Sequence, residues 1–403
     1  MQRFILSLLV AVSLLWFGWV VTSNTEAQTA ANGLLGARVM IDAATYPTLQ
    51  AALDALPDEG GLVRLPAGLF EITESLRIEK EDVCIEGAGT ATHIKNLNEE
   101  GQPAILLADP ECKDPKKDRK HNLWRLRLSN FRVTGNEKSG AGIEARQIDE
   151  IFIQGVTVSE NGGDGIFLNY CYEDPRISNC LLTYNKGTGV NLQGCHDIVV
   201  SACQFEENQD ALHCFDGFNV CMTGCCVDDH LGDGVVIENT YGSVVSGNMI
   251  EECNGTAVIL DRDCYGITLS ANVIAHNGGG IDLRDAHGCA VSANTFTILK
   301  TNALRIGPAS GRITVGGNNF CNSYIGDGTV RRGTNDMAAA GLVLEGANNV
   351  AISGNVFSGL TDKALTLKDA PQGIVFANNV LTDVESEHAG IKTGIVTNNQ
   401  VSD

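Results

Sequence analysis

From residue 140 onward, apolar and polar positions alternate in short runs, and nearly every run opens on a small-residue turn. The opening triplets begin with Ala141-Gly142-Ile143, Asp164-Gly165-Ile166, Thr188-Gly189-Val190 and Asp210-Ala211-Leu212. They continue through Asp233-Gly234-Val235, Thr256-Ala257-Val258, Gly279-Gly280-Ile281 and Asn302-Ala303-Leu304. The last residues of these triplets lie 22 to 24 positions apart, and after one interruption the pattern resumes at Leu342 and Leu365. Period-two alternation marks strands whose side chains point alternately to two faces. A repeat of this length means stacked supersecondary units, and the lack of a helical period makes them β-coils.

A second series keeps the same phase: Cys180, Cys203, Cys225, Asn248, Asn272, Asn294, Asn318, then Asn355 and Asn378. Its turn contexts include Ser-Gly-Asn248, Ser-Ala-Asn272, Ser-Ala-Asn294 and Ser-Gly-Asn355. Stacked coils sit about 4.8 Å apart, so one residue per coil builds a column whose side-chain amides can serve buried turn backbone. This series resembles the asparagine ladder of the pectate lyase superfamily. Upstream, Thr45 to Leu56 reads as a short amphipathic helix, followed by Gly60-Gly61-Leu62-Val63-Arg64-Leu65-Pro66 and Ile85-Glu86-Gly87-Ala88-Gly89. That order is similar to rhamnogalacturonase-like and epimerase-like members, in which such a helix plugs the open end of the solenoid. The expected fold is all-β: a right-handed parallel β-helix of about 23 residues per coil with a short N-terminal capping helix. The expected division is a signal peptide at 1–27 and one β-helix domain at 28–403, with the cap at 40–68 and coils at 69–400.

Composition adds bounds. Gly is abundant (45), Pro scarce (9), and aromatics make up 6%, which suits a chain with many tight turns. A net charge of −21 argues against nucleic acid and anionic membranes as partners. Met1-Gln2-Arg3, an apolar run from Phe4 to Val21 and Thr25-Glu26-Ala27 have the layout of a signal peptide with a cleavage site, or of an uncleaved anchor. Either way the remainder is expected to be secreted, periplasmic or at the cell surface. Fourteen cysteines in an exported chain suggest disulfides. Cys180, Cys203 and Cys225, however, occupy ladder positions, and Cys171 and Cys195 stack in the same way, so a column of buried thiols explains them better than a metal site.

In the resembling families substrate lies on the outer face of the first sheet of each coil. Here that sheet is built from the strands opened by the triplets. Alternation assigns one outward row through Asn191, His213, Val236, Ile259, Asp282 and Arg305, and a second through Gln193, Phe215, Glu238 and Asp261. Glu238 and Asp261 are adjacent-coil neighbours, with Asp282, Arg284 and Arg305 just beyond. Such a group could supply the acid and base of glycoside cleavage. It could equally bind Ca²⁺ through Glu238, Asp261 and Asp282 against a uronate, with Arg284 or Arg305 near the proton to be abstracted. The bland alternative is an Asp–Arg salt-bridge ladder. His213, Asn191 and Gln193 would bind substrate, as would Arg331 and Arg332 in the interruption that also carries Asp327 and Asp336. Asp164, Asp210, Asp228, Asp229 and Asp233, with His230 nearby, read first as turn residues. The motifs of polygalacturonases are missing, and Asp174-Pro175-Arg176 only partly matches the Asp-Pro-His element of alginate epimerases. A basic run between Asp109 and Asn122 reads as a loop that carries function or as a solvated charge run.

The expected function is therefore a carbohydrate-active protein working on extracellular polysaccharide, of lyase, glycoside hydrolase or epimerase type. Its rival is a glycan-binding or structural surface protein without catalysis. Ca²⁺ is the one cofactor the sequence suggests.

Overall fold

The computed structural model describes residues 36–117, 119–321, 338–384 and 394–402. The solenoid is the compact unit Met40–Asp403. The expected signal peptide lies outside the described residues, as do Asp327, Arg331, Arg332 and Asp336.

Each coil holds three short strands. The coil from Ile166 runs through Ile166–Asn169, Arg176–Ser178 and Leu181–Thr183, and the next begins at Val190–Gln193. We call the three stacks sheets 1, 2 and 3 in that order. Among the described residues they contain 12, 17 and 14 strands. Neighbouring strands pair in parallel and in register, as in Ile166 with Val190 and Leu168 with Leu192. The chain is thus a parallel β-helix.

Alternation sets the core. In Ile166–Asn169 the two aliphatic residues are buried while Phe167 and Asn169 are partly exposed. The inward positions of sheet 1 stack as Ile143, Ile166, Val190, Leu212, Val235 and Val258, all buried. Sheet 3 contributes the internal rings Phe296, Phe320 and Phe357, with centroids 4.7 and 4.8 Å apart and planes within 5° of parallel. Each fully buried aliphatic or Phe side chain stabilises the fold by about 1.5–3 kcal/mol.

The corner between sheets 2 and 3 explains the Ser-x-Asn spacing. Its middle residue is left-handed: Ala271 at φ 55°, Ala293 at 56°, Gly247 at 71°. The residue after it turns inward. Asn248 Nδ2 donates to Asn272 Oδ1 and Asn272 Nδ2 to Asn294 Oδ1, each at 3.0 Å. The same groups serve backbone: Asn272 Nδ2 donates to Val245 O, and Asn294 Oδ1 accepts from Asn272 N, again at 3.0 Å. Cys180, Cys203 and Cys225 continue this column as buried thiols. One expectation needs correction. Asn378 takes the left-handed slot at φ 57°, and Asn379 is the column member that accepts from Asn355 Nδ2 at 3.0 Å.

The corner between sheets 3 and 1 has its own amide column, which the sequence pattern does not announce. Asn161 Nδ2 donates to Asn185 Oδ1, and Asn185 Nδ2 to Asn208 Oδ1, both at 2.8 Å. His230 takes the next position, fully buried, with Nδ1 3.2 Å from Asn208 O and Nε2 without a partner. At the N-terminal end of the solenoid a short α-helix, α1 (Leu49–Asp54), is capped by Thr48, whose hydroxyl accepts from Ala51 N at 3.1 Å. Gln50 then meets the outer edge of the first sheet 1 strand, Leu76–Ile78. Its Oε1 accepts from Arg77 N at 2.8 Å and its Nε2 donates to Arg77 O at 3.2 Å.

Candidate active site

Register places the two outward rows of sheet 1 where alternation assigns them. Asn191 lies beside His213 and Gln193 beside Phe215. His213 neighbours Val236, and Phe215 neighbours Glu238. Glu238 pairs with Asp261, Ile259 with Asp282, and Asp282 with Arg305. Adjacent-coil geometry thus gathers seven candidate residues onto one face: Asn191, Gln193, His213, Glu238, Asp261, Asp282 and Arg305.

Their charges are matched in detail. Glu238 Oε2 lies 3.0 Å from His213 Nε2, and Glu238 Oε1 lies 3.0 Å from Arg262 Nε. Asp282 Oδ1 accepts from Arg305 Nη1 at 2.8 Å, and its Oδ2 accepts from Arg284 Nε at 2.9 Å. Arg305 Nε also donates to Glu345 Oε2 at 2.8 Å, while Arg284 Nη1 stands 3.7 Å from Asp261 Oδ2. Sequence reasoning did not single out Arg262 or Glu345 as partners. Arg262 sits in a turn at φ 55°, where strand alternation assigns no direction. Its guanidinium also lies 5.7 Å from the Phe215 ring centre.

Ca²⁺ does not fit at Glu238, Asp261 and Asp282. A Ca²⁺ site needs six to eight oxygens converging on one point, whereas all four oxygens of Glu238 and Asp282 are turned to Arg or His donors. Among the described residues, ligand atoms converge within 4.8 Å in two other groups, Asp228–Asp229–Glu252 and Asp263–Asp285–His287.

The corner entering sheet 1 adds a carboxylate row. Oδ1 of Asp164, Asp210 and Asp233 accepts the backbone N–H of Thr188, Asp233 and Thr256, at 2.7, 2.6 and 2.6 Å. These are turn roles, as their spacing next to small residues suggests. Asp164 Oδ2 also holds Asn191 Nδ2 at 2.9 Å. Asp210 has a further property: burial pushes its carboxyl above the ordinary range. The charges of Asp233 and Asp164 add to this, against the pull of Asp233 N–H and of nearby His213. A carboxyl of raised pKa, an imidazole and a second carboxyl group thus follow one another as Asp210, His213 and Glu238. That set can move protons at a bond laid across it.

The basic run after Asp109 is not a free solvated stretch. Arg119 stacks on Tyr172, 3.8 Å from its ring centre, and pairs with the buried Asp149 at 3.3 Å. Lys116 reaches Asp216 at 3.9 Å, and His121 Nδ1 meets Asp109 at 3.2 Å. Asp174-Pro175-Arg176 lies in the corner leading to sheet 2, with Arg176 3.4 Å from Asp174.

Comparison with known proteins agrees with this architecture. The family model described as right-handed β-helix region matches residues 120–272 and 175–320. No curated protein matches the chain by sequence. Among solved structures, the A-module of mannuronan C-5 epimerase AlgE4 from Azotobacter vinelandii superposes with a TM-score of 0.60 at 15% identity, covering 91% of this chain and 100% of that one. Gene product 12 of bacteriophage phi29 gives 0.61 at 11%, covering 87% and 57%. The family 28 exopolygalacturonase of Yersinia enterocolitica gives 0.52 at 12%, covering 90% and 78%. At such identities the likeness is one of fold. No helix among the described residues is long and apolar enough to cross a membrane.

Proposed function

We propose that this chain, a right-handed parallel β-helix, acts on a polysaccharide laid along the outer face of sheet 1, by hydrolysis. Solved structures of this fold include proteins named as a mannuronan epimerase and an exopolygalacturonase. The observation that carries the proposal is the Asp210–His213–Glu238 succession, with the Glu238 pair at 3.0 Å and the raised carboxyl of Asp210.

In this scheme Asp210 gives its proton to the leaving glycosidic oxygen as the C–O bond breaks. Glu238, set between His213 and Arg262, takes a proton from the water that adds to the anomeric carbon. Hydrolysis suits the face better than elimination from a uronate, because Arg262, Arg284 and Arg305 each already hold a carboxylate. Asp282, with both oxygens engaged, positions Arg284 and Arg305, and Asn191 and Gln193 extend the face towards the N-terminal coils.

The test is an assay of the full chain on neutral and uronate-containing polysaccharides, following both reducing ends and unsaturated products. Asp210→Asn and Glu238→Gln should each cut turnover about 100-fold or more. Activity should fall as pH rises through the elevated Asp210 pKa, since the acid must be protonated. Unsaturated products would overturn hydrolysis, and full activity in both variants would remove the site. Binding without turnover would favour a second reading, a non-catalytic glycan-binding solenoid, to which the complete charge pairing of Glu238 and Asp282 lends weight.

A further inference from the structure

The corner between sheets 1 and 2 contributes one ring from each of six successive coils: Tyr172, His196, Phe218, Tyr241, Tyr265 and His287. Centroids follow one another at 4.2, 5.8, 6.4, 5.8 and 5.1 Å. The backbone keeps them in parallel register, His196 beside Phe218, Phe218 beside Tyr241 and Tyr241 beside Tyr265. This column lies beside sheet 1, each ring coming three or four residues after the end of a sheet 1 strand. At its N-terminal end Arg119 covers Tyr172.

Two features separate this column from a packing device. The internal Phe296–Phe320–Phe357 stack is fully buried with planes within 5°. The outer rings instead tilt by 39°, 49° and 49° along its first half, and Phe218, Tyr241 and Tyr265 stay 44%, 37% and 37% exposed. A contiguous exposed aromatic strip marks a contact surface rather than a core. Its flanks carry hydrogen-bond acceptors. Asp197 Oδ1 holds Asn219 Nδ2 at 2.8 Å, Asp285 Oδ1 lies 3.2 Å from His287 Nε2, and Asp263 stands two residues before Tyr265.

We propose that this column is a binding rail for a neutral polysaccharide chain running parallel to the solenoid axis, about one sugar ring per coil. The inference rests on the polysaccharide reading of the sheet 1 face and names the substrate class for it. Three observations select this occupant. The coil step of about 4.8 Å is comparable to the advance per residue of an extended glycan. Apolar rings edged by carboxylates match the mixed apolar and hydroxyl surface of a sugar. Asp197, Asp263 and Asp285 disfavour an anionic chain.

The full chain would be titrated calorimetrically with a galactomannan, a xyloglucan and a mixed-linkage β-glucan, with polygalacturonate as the anionic arm. The triple variant Phe218→Ser/Tyr241→Ser/Tyr265→Ser should bind the preferred neutral glycan about tenfold or more weakly. Phe218→Tyr/Tyr241→Phe/Tyr265→Phe should stay close to the parent. Glu238→Gln should keep binding while losing cleavage. Hydroxyl-radical footprinting of the unaltered protein, which needs no variant to fold, should show glycan protection at Phe218, Tyr241 and Tyr265. Unprotected rings, or a folded serine variant that binds normally, would overturn the rail while leaving any measured cleavage intact. A dimer that the serine variant dissociates, with glycan binding unchanged, would hand the strip to a second copy of the chain. Preference for polygalacturonate through these rings would refute the neutral-chain assignment. No binding and no cleavage on any glycan would remove both proposals.

Discussion

Ala271 and Ala293 adopt left-handed conformations at φ 55° and 56°, in slots that Gly247 and Gly354 fill elsewhere. An L-residue with a Cβ pays about 1–2 kcal/mol there, and glycine returns part of the gain through unfolded-chain entropy, about 0.4–1 kcal/mol. Ala271→Gly should therefore raise stability by about 0.5–1 kcal/mol, read as a higher denaturation midpoint. His230 works in the opposite sense. Burial pushes its pKa down to about 4 from the ordinary 6.5. The unfolded chain therefore binds a proton that the native state refuses, and stability should drain as pH falls from about 6.5 to about 4. The loss is on the order of 3 kcal/mol. His230→Asn should remove that loss and extend the Asn161–Asn185–Asn208 column. A variant whose stability keeps the parental acid limb would contradict this.

At the scale of elements, α1 does more than cover apolar surface. Through the two Gln50–Arg77 hydrogen bonds it satisfies backbone on the exposed edge of the Leu76–Ile78 strand. Edges of this kind otherwise template association. Gln50→Ala should cost about 1–2 kcal/mol, and concentration-dependent light scattering should rise as the edge opens. The long segment after Asp109 is likewise fastened, by Arg119 to Asp149 and Tyr172. The presence of α1, the pairing of the strands and the two outward rows were legible from period and alternation. The ring column was not. Its members are a mixture of Tyr, His and Phe in corners of unequal length, and only stacking brings them into line.

Over the whole molecule, each coil touches mainly its two neighbours, so stability is close to a sum of coil and interface terms. Removal of residues 249–272 joins Asn248 to Val273 and keeps both the corner and the sheet 3 strand in phase. That deletion should leave a folded β-rich protein by circular dichroism, with a lower melting temperature. It also removes Asp261 and Arg262, so Glu238 loses its arginine partner and turnover should fall. Collapse into an unfolded chain would show that the coils are less independent than their stacking implies.

The sequence by itself determined the coil length, the inward columns, the outward rows and the thiols within the corner column. These follow from local rules: side chains alternate along a strand, and equal spacing superposes equal positions. The same rules slipped by one residue at Asn378, because two adjacent asparagines satisfy the count and only backbone conformation tells the left-handed one from the inward Asn379. Tertiary structure alone decided which charges meet. Arg262 reaches Glu238 from a turn, and Arg305 bridges Asp282 to Glu345 across the interruption of the repeat. Tertiary structure also decided that Asp210 is buried enough for its carboxyl to hold a proton more tightly than usual. Pair choice and desolvation depend on distances between coils, which no periodicity within one coil encodes.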